Sequence, residues 1–171
     1  DNLINNDNSY QYHDLGCKMN YTRISELNDV SILLIRCIRE WVKAVFYSQN
    51  PMPTLKFLLS IHKAEKTAIP FDNFMASIIL SRSKKIDFRT KQCCLLSKSE
   101  YDILSIMYNF QVNNEQIGIK LMDNMVEKSY WNTAVSCSKL ICKDFTDLGL
   151  FFNIGNKNYR NELKISNVIN F

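Results

Sequence analysis

Two adjacent cysteines, Cys93 and Cys94, close a run of cations: Arg82, Lys84, Lys85, Arg89 and Lys91, with Phe88 among them. Three kinds of chemistry are open to such a group. Lysine and arginine bind phosphate or carboxylate, and an exposed phenylalanine can stack on a base. A thiol beside cations, ahead of a helix start, is biased toward thiolate and can act as a redox sensor or modification site. The plainer alternative is a solvated loop with one thiol wedged against the core.

Other reactive side chains form no familiar constellation. Cys137 and Cys142 are five apart, so on a helix they diverge by roughly 140° and cannot clamp one metal ion. Cys37 lies in an apolar stripe, as small buried hydrophobes do. His13 falls in a polar N-terminal stretch and His62 beside Leu58 and Leu59. No nucleophile elbow, H-E-x-x-H helix or Walker loop occurs, and the chain has only 4 glycines. The expectation is a non-enzyme with no catalytic, cofactor or metal site.

Charge sharpens the point. From Ser81 to Lys98 the cations are Arg82, Lys84, Lys85, Arg89, Lys91 and Lys98 against Asp87 alone, while the whole chain is only +4. The basic character therefore belongs to this loop, and its expected partner is an acidic protein surface or nucleic acid. The most apolar run, "VSILLIRCIREWVKAVF", is broken by Arg36, Arg39, Glu40 and Lys43. No membrane partner is expected from it. The opening residues lack the pattern of a signal peptide. Cysteines placed as buried hydrophobes suit a reduced, cytoplasmic protein. The oligomeric state is not legible.

The elements that position these residues read as helices. Residues 1–24 are polar and Asn-rich, and are expected to form a flexible arm. Asn28 and Asp29 cap a helix to about Ser48, with Leu34, Cys37, Ile38, Trp41 and Val45 on one face and Arg36, Arg39, Glu40 and Lys43 on the other. Thr54 is expected to cap a short helix ending near Lys66, and Pro70 to open the next. Phe71, Phe74, Met75, Ile78 and Ile79 give that helix its apolar stripe. Ser97 and Glu100 form an S-x-x-E capping box for a helix to about Phe110, apolar over most of its circumference.

A further helix is expected over 114–128, with Ile117, Leu121 and Met125 inward. A last one over 129–148 carries the seam Trp131, Ala134, Ser138, Ile141, Phe145, Leu148 and stops at Gly149. The fold expected is all-α: a single-domain orthogonal bundle of about six helices over 25–149. The tail, 150–171, is either docked or a small hairpin.

Two resemblances follow from these motifs. Leu96 to Leu121 resembles the first half of the helix-turn-helix of LuxR-type response regulators, through Leu96, Ser97, Glu100, Ile103, Leu104, Asn114, Glu115, Ile117, Gly118 and Leu121. That resemblance implies DNA binding by helices 98–110 and 114–128. The chain departs from the pattern next, since "MDNMVEKSYWNTAVSCSKL" has no basic recognition-helix start. The Trp41-bearing helix, the Cys93–Cys94 pair before "LSKSE", and the closing "DLGL" are similar to a group of small alphaproteobacterial helical proteins. This second resemblance implies a bacterial cytoplasmic protein with a structural cysteine turn, and it supplies no activity to expect.

The leading expectation is a regulatory or interaction protein whose basic loop, 82–91, meets an acidic partner. The alternatives are a helix-turn-helix DNA binder and a thiol sensor at Cys93 and Cys94.

Overall fold

The computed structural model describes residues 22–81 and 84–155. Six α-helices occur among them: α1 Asp29–Phe46, α2 Met52–Ser60, α3 Ala68–Leu80, α4 Lys98–Gln111, α5 Glu115–Asp123 and α6 Lys128–Asp147. Short 3-10 turns, Ile24–Glu26 and Glu65–Thr67, precede α1 and α3. The described residues form an all-helical bundle around one core.

α3 and α6 form the central pair, and α4 packs on α6 and α5. Phe71, Phe74, Met75 and Ile78 of α3 and Ala134, Ile141 and Phe145 of α6 are buried in this core. Hiding each large side chain contributes about 1.5–3 kcal/mol. α4 is buried at nearly every position from Ser99 to Phe110, as its apolar circumference predicts. Its start is the expected capping box: Glu100 N donates to Ser97 Oγ (3.1 Å) and Ser97 N to Glu100 Oε2 (2.9 Å).

Several local expectations need correction. α2 starts at Met52, not after Thr54, because Pro53 sits in its first turn, where its missing N–H costs nothing. It ends at Ser60 rather than near Lys66. α3 begins at Ala68, two residues ahead of Pro70. α5 stops at Asp123, so Met125 lies in the α5–α6 turn and is buried there. Ile117 is exposed, and the inward residues of α5 are Gly118, Leu121 and Met122. Val45 and Ile79, placed on inward stripes, are exposed, as is Leu148.

α6 ends as expected. Gly149 adopts φ 72°, Gly149 N donates to Thr146 O (2.9 Å) and Leu150 N to Phe145 O (2.8 Å), which is a Schellman stop. The segment beyond it docks. Phe152 is buried against Phe145, and Asn153 exchanges 2.8 Å bonds with Ser31 through N···Oγ and Oγ···O contacts. Asn28 holds the same segment, donating through Nδ2 to Phe151 O and through N to Asn153 Oδ1. The tail expected over 150–171 is thus docked through Asn153, and its residues from 156 on lie outside those described. Of the arm expected over 1–24, residues 1–21 lie outside as well. Residues 22–24 run beside the loop ahead of α4: Leu96 N donates to Thr22 O and Ile24 N to Cys94 O.

A candidate contact face built on a buried ion pair

The basic loop is held from below by Arg39. Its Nε donates to Glu100 Oε1 and its Nη2 to Glu100 Oε2, both at 2.9 Å. Nη1 donates to Cys93 O (2.6 Å) and Nη2 to Leu95 O (2.9 Å). Glu100 in turn accepts from Arg89 N (3.0 Å) and from Ser97 N. Both side chains are buried, yet each is ringed by partners. This corrects the expectation that Arg39 lies on the outer face of α1. A guanidinium can be buried where a carboxylate and two carbonyls meet its planar fork.

Asp87 pins the loop a second time. Its Oδ1 accepts from Ser99 Oγ (2.7 Å) and Ser99 N (3.1 Å), at the positive end of α4. Its carbonyl accepts from Ser97 Oγ (2.7 Å). The one acid of the loop therefore serves as a second cap.

The residues expected to make contact are distributed unevenly. Arg82 lies outside the described residues. Lys84 is half-buried and lines a cleft of about 460 Å³ with Asp123, Val126, Glu127, Lys128 and Trp131. Lys85 is exposed. Phe88 is half-buried and packs against the core, which withdraws the ring from the stacking role expected of it. Arg89 is half-buried. Lys91 reaches across to α1 and bonds Glu40 at 2.9 Å, with more than half its side chain in solvent.

That last contact joins the loop to a surface the sequence reading did not single out. Arg36, Glu40 and Lys43 of α1 and Tyr47 just past its end follow i, i+4, i+7, i+11 spacing along one stripe. Arg36, Lys43 and Tyr47 are exposed. Lys91 neutralises Glu40, the acid between Arg36 and Lys43, so this part of the face keeps their positive charge. The spacing was visible in the sequence, but nothing local said that Lys91 would arrive on it.

At the cysteine pair, the anchoring is done by backbone. The carbonyls of Cys93 and Cys94 accept from Arg39 and Ile24, and Leu96 is the buried side chain. Cys93 is half-buried and Cys94 exposed. Burial pushes the thiols of Cys37 and Cys142 up to about 12 and also raises that of Cys137. His62 is half-buried, and His13 lies outside the described residues. Among the described residues no group of three or more His, Cys, Asp or Glu side chains could hold a metal ion.

Gly118 lets α5 approach α4, since a Cβ there would meet the Phe110 ring at 2.9 Å. The exposed cations of α6 are largely engaged: Lys139 bonds Glu115 and Lys143 bonds Asp147, both at 2.5 Å. No helix among the described residues is long and apolar enough to cross a membrane. Comparison with family models, curated proteins and solved structures finds no match for this chain.

Proposed function

We propose that this protein is a non-enzymatic helical interaction module whose contact surface is the basic loop together with the exposed stripe of α1, and whose partner is acidic. The observation that carries the reading is the Lys91–Glu40 bond. It lays the loop on α1 beside Arg36 and Lys43 and offsets the negative charge that lies between them. A rigid underlay of Arg39, Glu100 and Asp87 holds the loop in place, so little ordering entropy is lost when a partner binds. The face acts by charge, through Arg36, Lys43, Lys85 and Lys91, and reads polyanion density rather than sequence. The described cysteines are all free, which suits a cytoplasmic setting.

Retention on heparin and mobility shift of random duplex DNA, each at two salt concentrations, test this directly. Binding is expected at low salt and must weaken steeply as salt rises. The triple change Arg36→Glu, Lys43→Glu, Lys85→Glu touches only exposed side chains and is expected to abolish binding while the helical circular dichroism stays. No retention at low salt, or retention untouched by the triple change, would overturn the reading.

A further inference from the structure

A second surface, on α2, has a different chemistry. Pro53, Phe57 and Ile61 follow i, i+4, i+8 spacing on its outward side, and all three are exposed. Phe57 is 70% and Ile61 62% accessible. Leu55, Leu58 and Leu59 take the inward side. Where the chain turns from α1 into α2 stand Phe46, 79% accessible, and Tyr47, their rings edge to face at 5.2 Å. Scattered exposed apolar residues need no explanation, but large ones at adjoining positions mark a contact surface.

The charges around them select the partner. From Trp41 to Ala64 the chain contains no Asp or Glu, while Lys43, Lys56 and Lys63 are all exposed. The cations interleaved with the aromatic residues are thus all lysine. Protein–protein contacts are enriched in arginine and depleted in lysine at their centres. A bilayer surface accepts the opposite arrangement. Apolar tips enter the boundary of the acyl chains, while lysine stems lie along it and place their ammonium groups among lipid phosphates. Phenyl and phenol rings favour that layer as well.

We propose that the outer face of α2, Phe57 and Ile61 flanked by Lys56 and Lys63, docks on an anionic bilayer surface, with Phe46 and Tyr47 extending the contact from the end of α1. The association is peripheral. Its anchors, Phe57 and Ile61, lie outside the α1 stripe, so changing them leaves Arg36, Lys43 and Lys91 in place.

Co-sedimentation of the full chain with phosphatidylcholine vesicles, with and without phosphatidylserine, tests it. Binding is expected with phosphatidylserine, weaker without it, and reduced by salt. Phe57→Ser with Ile61→Ser is expected to lower partitioning roughly tenfold or more, since two buried apolar side chains are lost. Lys56→Gln and Lys63→Gln are each expected to cost roughly fivefold. The Phe57/Ile61 variant must keep its heparin retention.

Three outcomes would overturn the proposal. One is no sedimentation with phosphatidylserine vesicles. Another is binding that survives in the Phe57/Ile61 variant. The third is a sedimentation-velocity dimer abolished by that variant without any vesicle binding, which would assign the face to a second copy of the chain.

Discussion

Arg39 of α1 and Glu100 of α4, sixty-one positions apart, form a buried bidentate pair in which the guanidinium makes four hydrogen bonds and the carboxylate accepts four. The same carboxylate completes the capping box of α4. One side chain thus starts a helix, neutralises a buried cation and, through Arg89 N, fixes the loop that carries the charge.

Glu100→Gln keeps the shape but leaves Arg39 charged and buried without an anion. A loss of about 3–5 kcal/mol is expected in urea denaturation, because one partner of a buried pair is removed. Arg39→Met combined with Glu100→Leu is expected to be less destabilised than either single change, since no charge is then stranded. Additive losses in the double variant would show that the two groups stabilise the fold separately.

The pair also shows what the sequence could and could not reveal. The core faces of α3 and α6 and the start of α4 were legible, because periodicity and capping are local signals. Arg39 was not, because spacing put it among the outer cations. Its burial depends on two carbonyls and a carboxylate from distant segments. The end of α5 was hidden for a related reason: Met125 continues the apolar spacing but is buried in a turn. The loop's excess charge was plain in the sequence. The packing of Phe88 against the core and the loop's link through Lys91 to Glu40 arise only from the way α1 and α4 meet.

The thiols should separate sharply by location. Alkylation of the native protein near pH 8, mapped by mass spectrometry, is expected to label Cys94 first and to leave Cys37 and Cys142 intact until unfolding. Burial holds both near 12, while an unfolded thiol titrates near ~8.5. The folded state therefore holds these protons more tightly. Their contribution to stability is complete below the unfolded value and is lost as pH rises from there toward 12. Native labelling of Cys37 or Cys142 as fast as Cys94 would contradict the packing of α1 and α6.

Asp102 supplies the acid-side counterpart. Burial raises its carboxyl above the usual range, against the opposing bond from Lys98 at 2.5 Å. A raised folded value means that the folded state binds the proton more tightly than the unfolded chain, where the carboxyl titrates near ~3.9. The stabilisation is therefore complete below that value and fades as pH climbs through the folded one. Asp102→Asn is expected to remove this slope and leave the stability at neutral pH unchanged or slightly increased. A clear loss at neutral pH would mean that the Lys98 bond outweighs the burial of the charge.

Helix endings make the last prediction, and they bear on why so few glycines suffice. Ser48, Lys63 and Asn113 all adopt positive φ, at 55°, 59° and 57°. Each stands where a helix or its final turn reverses, and the following N–H returns to a carbonyl of the last helical turn: Gln49 to Ala44, Ala64 to Leu59, and Asn114 to Asn109. Glycine is the residue this conformation ordinarily selects, and asparagine tolerates it better than serine or lysine. Ser48→Gly and Lys63→Gly are therefore expected to stabilise the fold by about 0.5–1 kcal/mol each, because relief of the left-handed strain exceeds the added freedom of the unfolded chain. Asn113→Gly is expected to change stability by less. Thermal denaturation of the three variants checks the order, and a Ser48→Gly variant less stable than the parent would show that the serine is held there by more than backbone geometry.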